Sequence, residues 1–396
     1  MHMHVADPPR RTVLHVIDTL TYAGAQRYVV LLCRWSSPRL FRHIVCVLQP
    51  GTELRSQLES AGVRVVCLDM PRPSILQPWG FGRYCLRALR TIMAICRAEG
   101  VDVVQCHLSD AEFLGIAAAA CCRISVIITT LHGPLPLLPE RPWWSVRSLL
   151  RRVFTRMLYC PADHIVAVSD EVALEARRQF RAPVSKMTTI INRIDTDSYS
   201  EPVDLPAVRA SLGLGPEHKV ITTVSRLEPH KGHACLLSAL ARLQGVQYRD
   251  VRLMLLGEGG FRTALEEQCR CSGTADRVVF LGTRDDVRDI LAVTDVFAFP
   301  SSAEGTSLAL MEAMAAARPI VAADIPGNRT LLMHDRNALL VPAGDEPALA
   351  RALMRLLDDP DAAQALGREA RAFVRERFDI RATVAELERL WQPGPV

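Results

Sequence analysis

Lysine is nearly missing from this 396-residue chain. Of its 47 basic residues, only Lys186, Lys219 and Lys231 are lysines. A lysine inside a motif therefore carries more information than an arginine. Net charge is almost absent as well: 47 basic against 43 acidic residues leave +4, which gives no bulk electrostatic grip on nucleic acid. The twelve cysteines contain no C-x-x-C pair and no Cys/His cluster with zinc spacing. Most lie in apolar runs such as Ile44-Val45-Cys46-Val47, where cysteine acts as a small hydrophobe, and a reducing cytoplasm is the natural compartment. No G-x-G-x-x-G occurs, so a dinucleotide-binding oxidoreductase is unsupported. Long apolar runs are lacking too. The longest, 114–131, is interrupted by Arg123 and divides into a helix over 111–122 and a buried strand over 125–131. The N-terminal MHMHVADPPRR has no apolar core, so no signal peptide is expected. A soluble protein, at most attached to the inner face of a membrane, follows.

What is present is ordinary globular composition, with 49% hydrophobic and 23% charged residues. At about 150 residues per domain, the length suits two large domains or three small ones. Short β-branched runs alternate with helical-period runs. Strands are expected near 12–17, 42–48, 63–68, 101–106, 125–131, 164–168 and 187–191. The polar, turn-rich stretch 192–202 interrupts this series and is the best linker. A second series follows near 219–224, 251–256, 278–281, 296–299, 320–322 and 338–341, and 361–390 is helical. Continuous apolar strands alternating with helices imply parallel sheets covered on both faces. The expected architecture is α/β: two doubly wound, Rossmann-like domains facing each other across a cleft. The divisions are 1–195, 196–376, and a C-terminal helix over 377–396 that packs back on the first domain.

Ligands of open parallel sheets bind beyond the carboxyl ends of the strands. The first strand leads into Ala23-Gly24-Ala25, a small-residue loop opening a helix, which suits an anion. His132 ends an apolar strand before a Gly-Pro break, and His107 ends the strand near 101–106. The stretch VSRLEPHKGH sets Arg226 and Lys231 either side of a proline turn, at the start of a helix, where two cations could grip a diphosphate. The strongest segment is FPSSAEGTSLALMEAM. Glu304 lies in a loop; Glu312 falls inside an otherwise apolar helix, where an ionised acid needs a partner such as ribose hydroxyls. The N–H groups of Thr306, Ser307 and Leu308 start that helix and suit phosphate oxygens.

Together, "VSRLEPHKG", "LLGEG", "VVFLG", "EGTSLALMEAMA" and "ARPIVAADIPGN", preceded by "YAGAQR", "CHLSDAEFLG", "TLHG" and "VAVSD", resemble glycosyltransferase family 4, the retaining, group 1 family with the GT-B fold. The resemblance implies a retaining hexosyl transfer from a nucleotide-diphosphate sugar to a saccharide or lipid-linked saccharide, in cell-surface polysaccharide or glycolipid synthesis. It implies that Arg226 and Lys231 hold the diphosphate, that Glu312 binds the ribose, and that Glu304 meets sugar hydroxyls. His132 would touch the sugar beside its anomeric centre. Gly24 would line the phosphates, Gly257, Gly259 and Gly282 would border the base, and Gly305 belongs to the donor loop. The physics agrees: an oxocarbenium-like transition state mainly needs stabilisation of the departing diphosphate, which two cations and a helix end supply.

The sequence departs from the family pattern at several places. Ala23 stands for a glycine of the first loop, Ala317 for a glycine before Arg318-Pro319, Ala338 for another, and Thr330 for the glutamate after the "PGNR" motif. Asp195-Thr196-Asp197 has the letters of a metal-binding D-x-D but lies in the linker, so it reads as a turn, and no metal or other cofactor is expected. Residues 141–159 interleave Arg147, Arg151, Arg152 and Arg156 with apolar residues and could lie on an anionic membrane, though a helix covering the first domain with its arginines in solvent is the more usual use of such a pattern. Two other functions fit the same fold: a nucleotide-sugar epimerase, and a sugar-nucleotide-binding protein without turnover.

Overall fold

The structure is a computed structural model that describes residues 10–74, 76–133, 159–180 and 184–392. The chain divides into two compact units, Met1–Asn192 with Ile380–Val396, and Arg193–Asp379. Each is built on one parallel sheet.

In the first unit β1 (Arg11–Ile17), β2 (Phe41–Val47), β3 (Arg64–Cys67), β4 (Val103–His107), β5 (Val126–Leu131), β6 (His164–Ala167) and β7 (Met187–Thr189) lie in the order β3-β2-β1-β4-β5-β6-β7. The central strands are buried on both faces, which is why they read as continuous apolar runs. Leu14 and Val16 point to a core shared with the helices Pro78–Ala98 and Ser109–Cys121. Alternate residues point to the other face, which the helices Gly24–Trp35 and Ile380–Trp391 cover. Trp391 is fully buried there, and its indole N–H donates to Gln105 Oε1 at 2.9 Å.

In the second unit β8 (Lys219–Val224), β9 (Val251–Leu256), β10 (Val278–Gly282), β11 (Val296–Phe299), β12 (Ile320–Ala323) and β13 (Leu339–Val341) run β10-β9-β8-β11-β12-β13. This repeats the strand order of the first unit. The helical terminal region is two helices. It runs over Pro360–Arg377, stops at Phe378, and restarts as Ile380–Trp391. At the break Asp379 bridges Ile194, and its carboxylate accepts from Thr196 Oγ1 at 2.7 Å. The D-x-D letters are spent on turns: Asp195 Oδ1 accepts from the Ser198 N–H, and Asp197 pairs with Arg375.

All twelve cysteines are unbridged. Among the described residues no helix is long and apolar enough to cross a membrane. Apart from Tyr159 at its end, the basic amphipathic segment 141–159 lies outside the described residues.

Candidate functional site

Both sheets reverse direction of growth between their first and fourth strands, at β1/β4 and β8/β11. Loops from such neighbouring strands diverge and leave a crevice at their carboxyl ends.

In the second unit β8 feeds the turn that carries Arg226 and Lys231. Pro229–Lys231 forms one tight turn, and Gly232 closes it at φ 74°. A Cβ on Gly232 would stand 2.2 Å from the Pro300 carbonyl oxygen, so only glycine lets this loop lie against the one after β11. The Ser302 N–H and hydroxyl then both donate to the His230 carbonyl, at 2.9 and 3.1 Å. The result is an ion pair: Lys231 Nζ donates to Glu304 Oε1 at 2.7 Å, with the side chains only 14% and 11% exposed. Arg226 differs. It is 68% exposed and pairs with Glu228 on its own loop. Gly257, at φ 136°, packs beneath this turn; a Cβ there would meet the Ser225 carbonyl at 2.0 Å, and its N–H donates to the Gly282 carbonyl at 2.8 Å.

Beyond Gly305 and Thr306, Ser307 caps the helix Leu308–Ala315 by accepting from the Leu310 N–H at 3.3 Å. Glu312 sits in that helix, 2% exposed among alanines and methionines. The second unit thus brings together Lys231 with Glu304 and Gly257 with Gly282. The sequence did not reveal that both cations are already held by carboxylates.

In the first unit Gly24 opens the helix Gly24–Trp35 after the turn that follows β1. His132 follows β5, and its Nε2 meets His107 Nδ1 at 2.9 Å. His107 is fully buried at the end of β4. Leu108, next in the chain, adopts φ 73°, a costly conformation for a bulky residue that is retained where surrounding structure demands it. His132 Nδ1 is buried with no partner among the described residues. Burial pushes its pKa down to about 3, so the ring is neutral at physiological pH.

The structure adds residues that sequence reasoning passed over. Asp18, just past β1, accepts from the N–H of Ala111 at 2.7 Å, and burial pushes its pKa up to about 6 against that bond. Asp110 gathers Arg72 Nε at 2.6 Å and the Tyr84 hydroxyl and Gln49 amide at 3.2 Å. Glu112 is buried, accepts from the Tyr159 hydroxyl at 3.1 Å, and is pushed up to about 8 by desolvation. Glu112 carried a usable signal, an acid inside an apolar helix, the same signal that singled out Glu312.

One group of three potential metal ligands occurs among the described residues: His15, Cys33 and His43, all buried, with ligand atoms within 4.8 Å of one another. His15 Nε2 and His43 Nδ1 already hydrogen-bond each other at 3.0 Å.

Residues 218–359 match the family described as glycosyl transferases group 1, and residues 22–198 match glycosyltransferase family 4. The phosphatidyl-myo-inositol mannosyltransferase of Mycobacterium leprae is 31% identical over 300 residues, 74% of this chain and 73% of that protein. The UDP-Gal:alpha-D-GlcNAc-diphosphoundecaprenol alpha-1,3-galactosyltransferase of Escherichia coli is 24% identical over 277 residues, 69% of this chain and 71% of that one. Among solved structures, Anabaena HepE in complex with UDP and glucose aligns with a TM-score of 0.76 at 23% identity, covering 95% of this chain and 98% of the other. Paired parallel sheets of seven and six strands and these likenesses identify the chain as a glycosyltransferase of family 4, group 1, with the GT-B fold.

Proposed function

We propose that this glycosyltransferase moves a hexosyl group from a nucleoside diphosphate sugar to a saccharide or lipid-linked saccharide, with retention at the anomeric carbon and without a metal ion, in cell-surface polysaccharide or glycolipid synthesis. The carrying observation is the enclosed Lys231–Glu304 pair at the sheet's reversal point, with Arg226 on the same loop as Lys231. Lys231 meets the diphosphate as a compact charge oriented by Glu304. Arg226 is the mobile partner: an exposed ion pair contributes little, so its guanidinium exchanges Glu228 for phosphate oxygens readily. As the glycosyl bond breaks, negative charge grows on the leaving diphosphate, and both cations stabilise it. Glu312 receives ribose hydroxyls, and the Gly305–Leu308 turn offers N–H groups to phosphate oxygens. Gly24 lines the phosphates. His132, neutral, hydrogen-bonds the transferred sugar. The relatives support this reading: one is named for a UDP-galactose donor and a diphosphoundecaprenol-linked acceptor, another for a phosphatidylinositol acceptor.

Work on a lipid-linked acceptor places the protein in the cytoplasm and peripherally on an anionic membrane. The 141–159 segment prompts this, and the described residues supply a second basis. Leu76 and Trp79 are 91% and 89% exposed, beside Arg83, Arg87 and Arg90, which line a groove of about 490 Å³. Interfacial helices combine such apolar and basic residues.

The test is a panel of nucleotide sugars assayed for nucleoside diphosphate release, with chelator present, and the product's anomeric configuration read by NMR. The reading expects turnover on one donor and a retained configuration. Interconversion of donor sugars without acceptor, or binding without turnover, would overturn it. Activity abolished by chelator and restored by Mn²⁺ would overturn the metal-free part.

A further inference from the structure

Four histidines cross the first sheet in single file. His43 stands on β2, His15 on β1, His107 on β4 and His132 just past β5, so each comes from the next strand over. Their registers explain the line. His15 is level with Val45 and with Gln105, and His107 is level with Thr130. Each step to the next strand therefore advances two residues. That keeps every ring on one face and carries the line diagonally toward the carboxyl edge.

Both nitrogens of the inner rings are used. Ser36 Oγ meets His43 Nε2; His43 Nδ1 meets His15 Nε2 at 3.0 Å; His15 Nδ1 meets His107 Nε2 at 3.3 Å; and His107 Nδ1 meets His132 Nε2 at 2.9 Å. Aromatic edges flank the file, which is buried at its first three rings and partly open at His132. Trp391 abuts His15 and His43, and Tyr28 abuts His107 and His132. Burial lowers the pKa of all four rings, so all are neutral.

A neutral imidazole has one N–H and one lone pair. In a file of such rings the direction of one hydrogen bond dictates every other, and only two arrangements satisfy all the contacts. In the first, the Ser36 hydroxyl donates into the file and the surplus N–H emerges at His132 Nδ1. In the second, His132 Nε2–H donates inward, each ring donates to the next, and His43 Nε2–H ends on Ser36 Oγ. His132 Nδ1 is then a bare lone pair. Buried donors without acceptors are the rarer defect, and a serine hydroxyl can rotate to find an acceptor where an imidazole N–H cannot. The second arrangement is favoured.

We propose that His43, His15 and His107 are positioning residues that hold His132 as the Nε2–H tautomer, so that its Nδ1 accepts a hydrogen bond from a sugar hydroxyl. This rests on the reading that His132 touches the transferred sugar, and it deepens that reading: the site selects a sugar bearing a hydroxyl there over one deoxygenated at that carbon. A ligand oxygen that cannot donate would have to reverse every bond in the file.

The experiment is long-range ¹H–¹⁵N correlation on the full-length, ¹⁵N-histidine-labelled protein without ligand, which reads the protonated nitrogen of each ring. Wild type should show His132 protonated at Nε2. Ser36→Ala, three rings away from His132, strips the acceptor from His43 Nε2–H, so either arrangement then leaves one N–H unpaired, and His132 should become a mixture of Nε2–H and Nδ1–H forms. His15→Gln keeps a donor and an acceptor and should preserve the wild-type state. His15→Leu should leave a mixture. A merely structural role for these residues would not move a proton on His132. An unchanged His132 tautomer in a folded Ser36→Ala protein overturns the proposal. If Ser36→Ala does not fold, identical His132 tautomers in His15→Gln and His15→Leu overturn it instead. Elemental analysis finding one zinc per chain, bound through His15, Cys33 and His43, would also overturn it. None of these readings needs transferase activity: a relay that responds in a protein inert toward every nucleotide sugar sinks the proposed function alone.

Discussion

The two units share a strand order and store their chemistry in opposite ways. The second keeps charge on loops, where it is paired and partly open to water: Lys231 with Glu304, Arg226 with Glu228, Arg262 with Glu258. The first hides titratable groups in its core and along the carboxyl edge of its sheet, where burial disfavours their charged forms. Its four filed histidines are pushed down by burial, and Asp18 and Glu112 are pushed up to about 6 and about 8. A leaving diphosphate needs full charges that can reorganise; a contact to a neutral sugar needs dipoles held in one direction. On the proposed function, loops carry the first and strands the second.

The sharpest way to break the comparison is to neutralise the loops. Arg226→Ala with Lys231→Ala should lower kcat by about 10²–10³-fold or more, on the scale of losing a transition-state donor. Losing exposed Arg226 should barely move the thermal midpoint, whereas losing Lys231 leaves the mostly buried Glu304 carboxylate without its partner and should lower it. Steady-state kinetics with a cognate donor reads this, and full turnover in the double variant would refute the proposed role.

The second prediction concerns the hidden groups. An unfolded histidine titrates near 6.5, whereas folded His43 and His132 are lowered to about 4 and about 3, and His15 and His107 are also lowered. As pH falls below 6.5 the unfolded chain gains four protons that the folded one refuses, so stability is lost. Asp18 and Glu112 act in the opposite sense. Their raised values make the folded state keep protons that the unfolded state releases above about 4, so their contribution is lost as pH rises through 6 and then 8. His233 in the second unit, lowered to about 4 by burial, adds a fifth ring. Five groups outweigh two on the acid side, leaving a net slope of up to about 4 kcal/mol per pH unit. Above about 7 Glu112 dominates. The melting temperature should peak at roughly pH 7 and fall more steeply toward acid. A flat profile between pH 4.5 and 6.5 would contradict the burial of these rings.

A smaller effect sharpens the view of the second unit's backbone. Ala317, one of the departures from the family pattern, sits at φ 55°. A left-handed non-glycine residue costs about 1–2 kcal/mol, so Ala317→Gly should stabilise the protein by about 1 kcal/mol after the added freedom of the unfolded chain is subtracted. Chemical denaturation checks it. Ala23 and Ala338 stand for other family glycines without a positive φ, and glycine there should bring no such gain.

The smallest effect bears on the outer surface of the first unit. Trp79→Ala with Arg83→Gln and Arg87→Gln should weaken sedimentation with anionic vesicles and leave neutral vesicles unaffected. Salt-insensitive binding, or none in the wild type, would remove the membrane from the reading.

Much of the fold was legible because a parallel strand buried on both faces leaves an apolar run whatever surrounds it. Strands β8, β9 and β11 lie where the runs put them. The short helices Arg55–Ser60, Leu205–Ser211 and Val287–Ala292 were not foreseen, because six or seven residues complete too little of a helical period. The break at Phe378 falls beside the expected start of a separate C-terminal helix at 377, though neither proline nor glycine marks it; the bridge between Asp379 and Ile194 does. The loop motifs of the second unit were legible because Arg226, Lys231, Glu304 and Glu312 lie within two short stretches. His15 and His43 were passed over, since nothing local separates a histidine in a strand from its apolar neighbours.

The amino-acid order alone determined which segments become strands, where the chain divides, and which loop residues carry charge, for hydrophobic period and turn chemistry act over a few residues. The tertiary structure alone decided that Lys231 finds Glu304, that the Trp391 indole meets Gln105, and that four histidines from four strands form one file. Strand register is set by packing across the whole sheet, and only register brings side chains so distant in sequence within hydrogen-bonding reach.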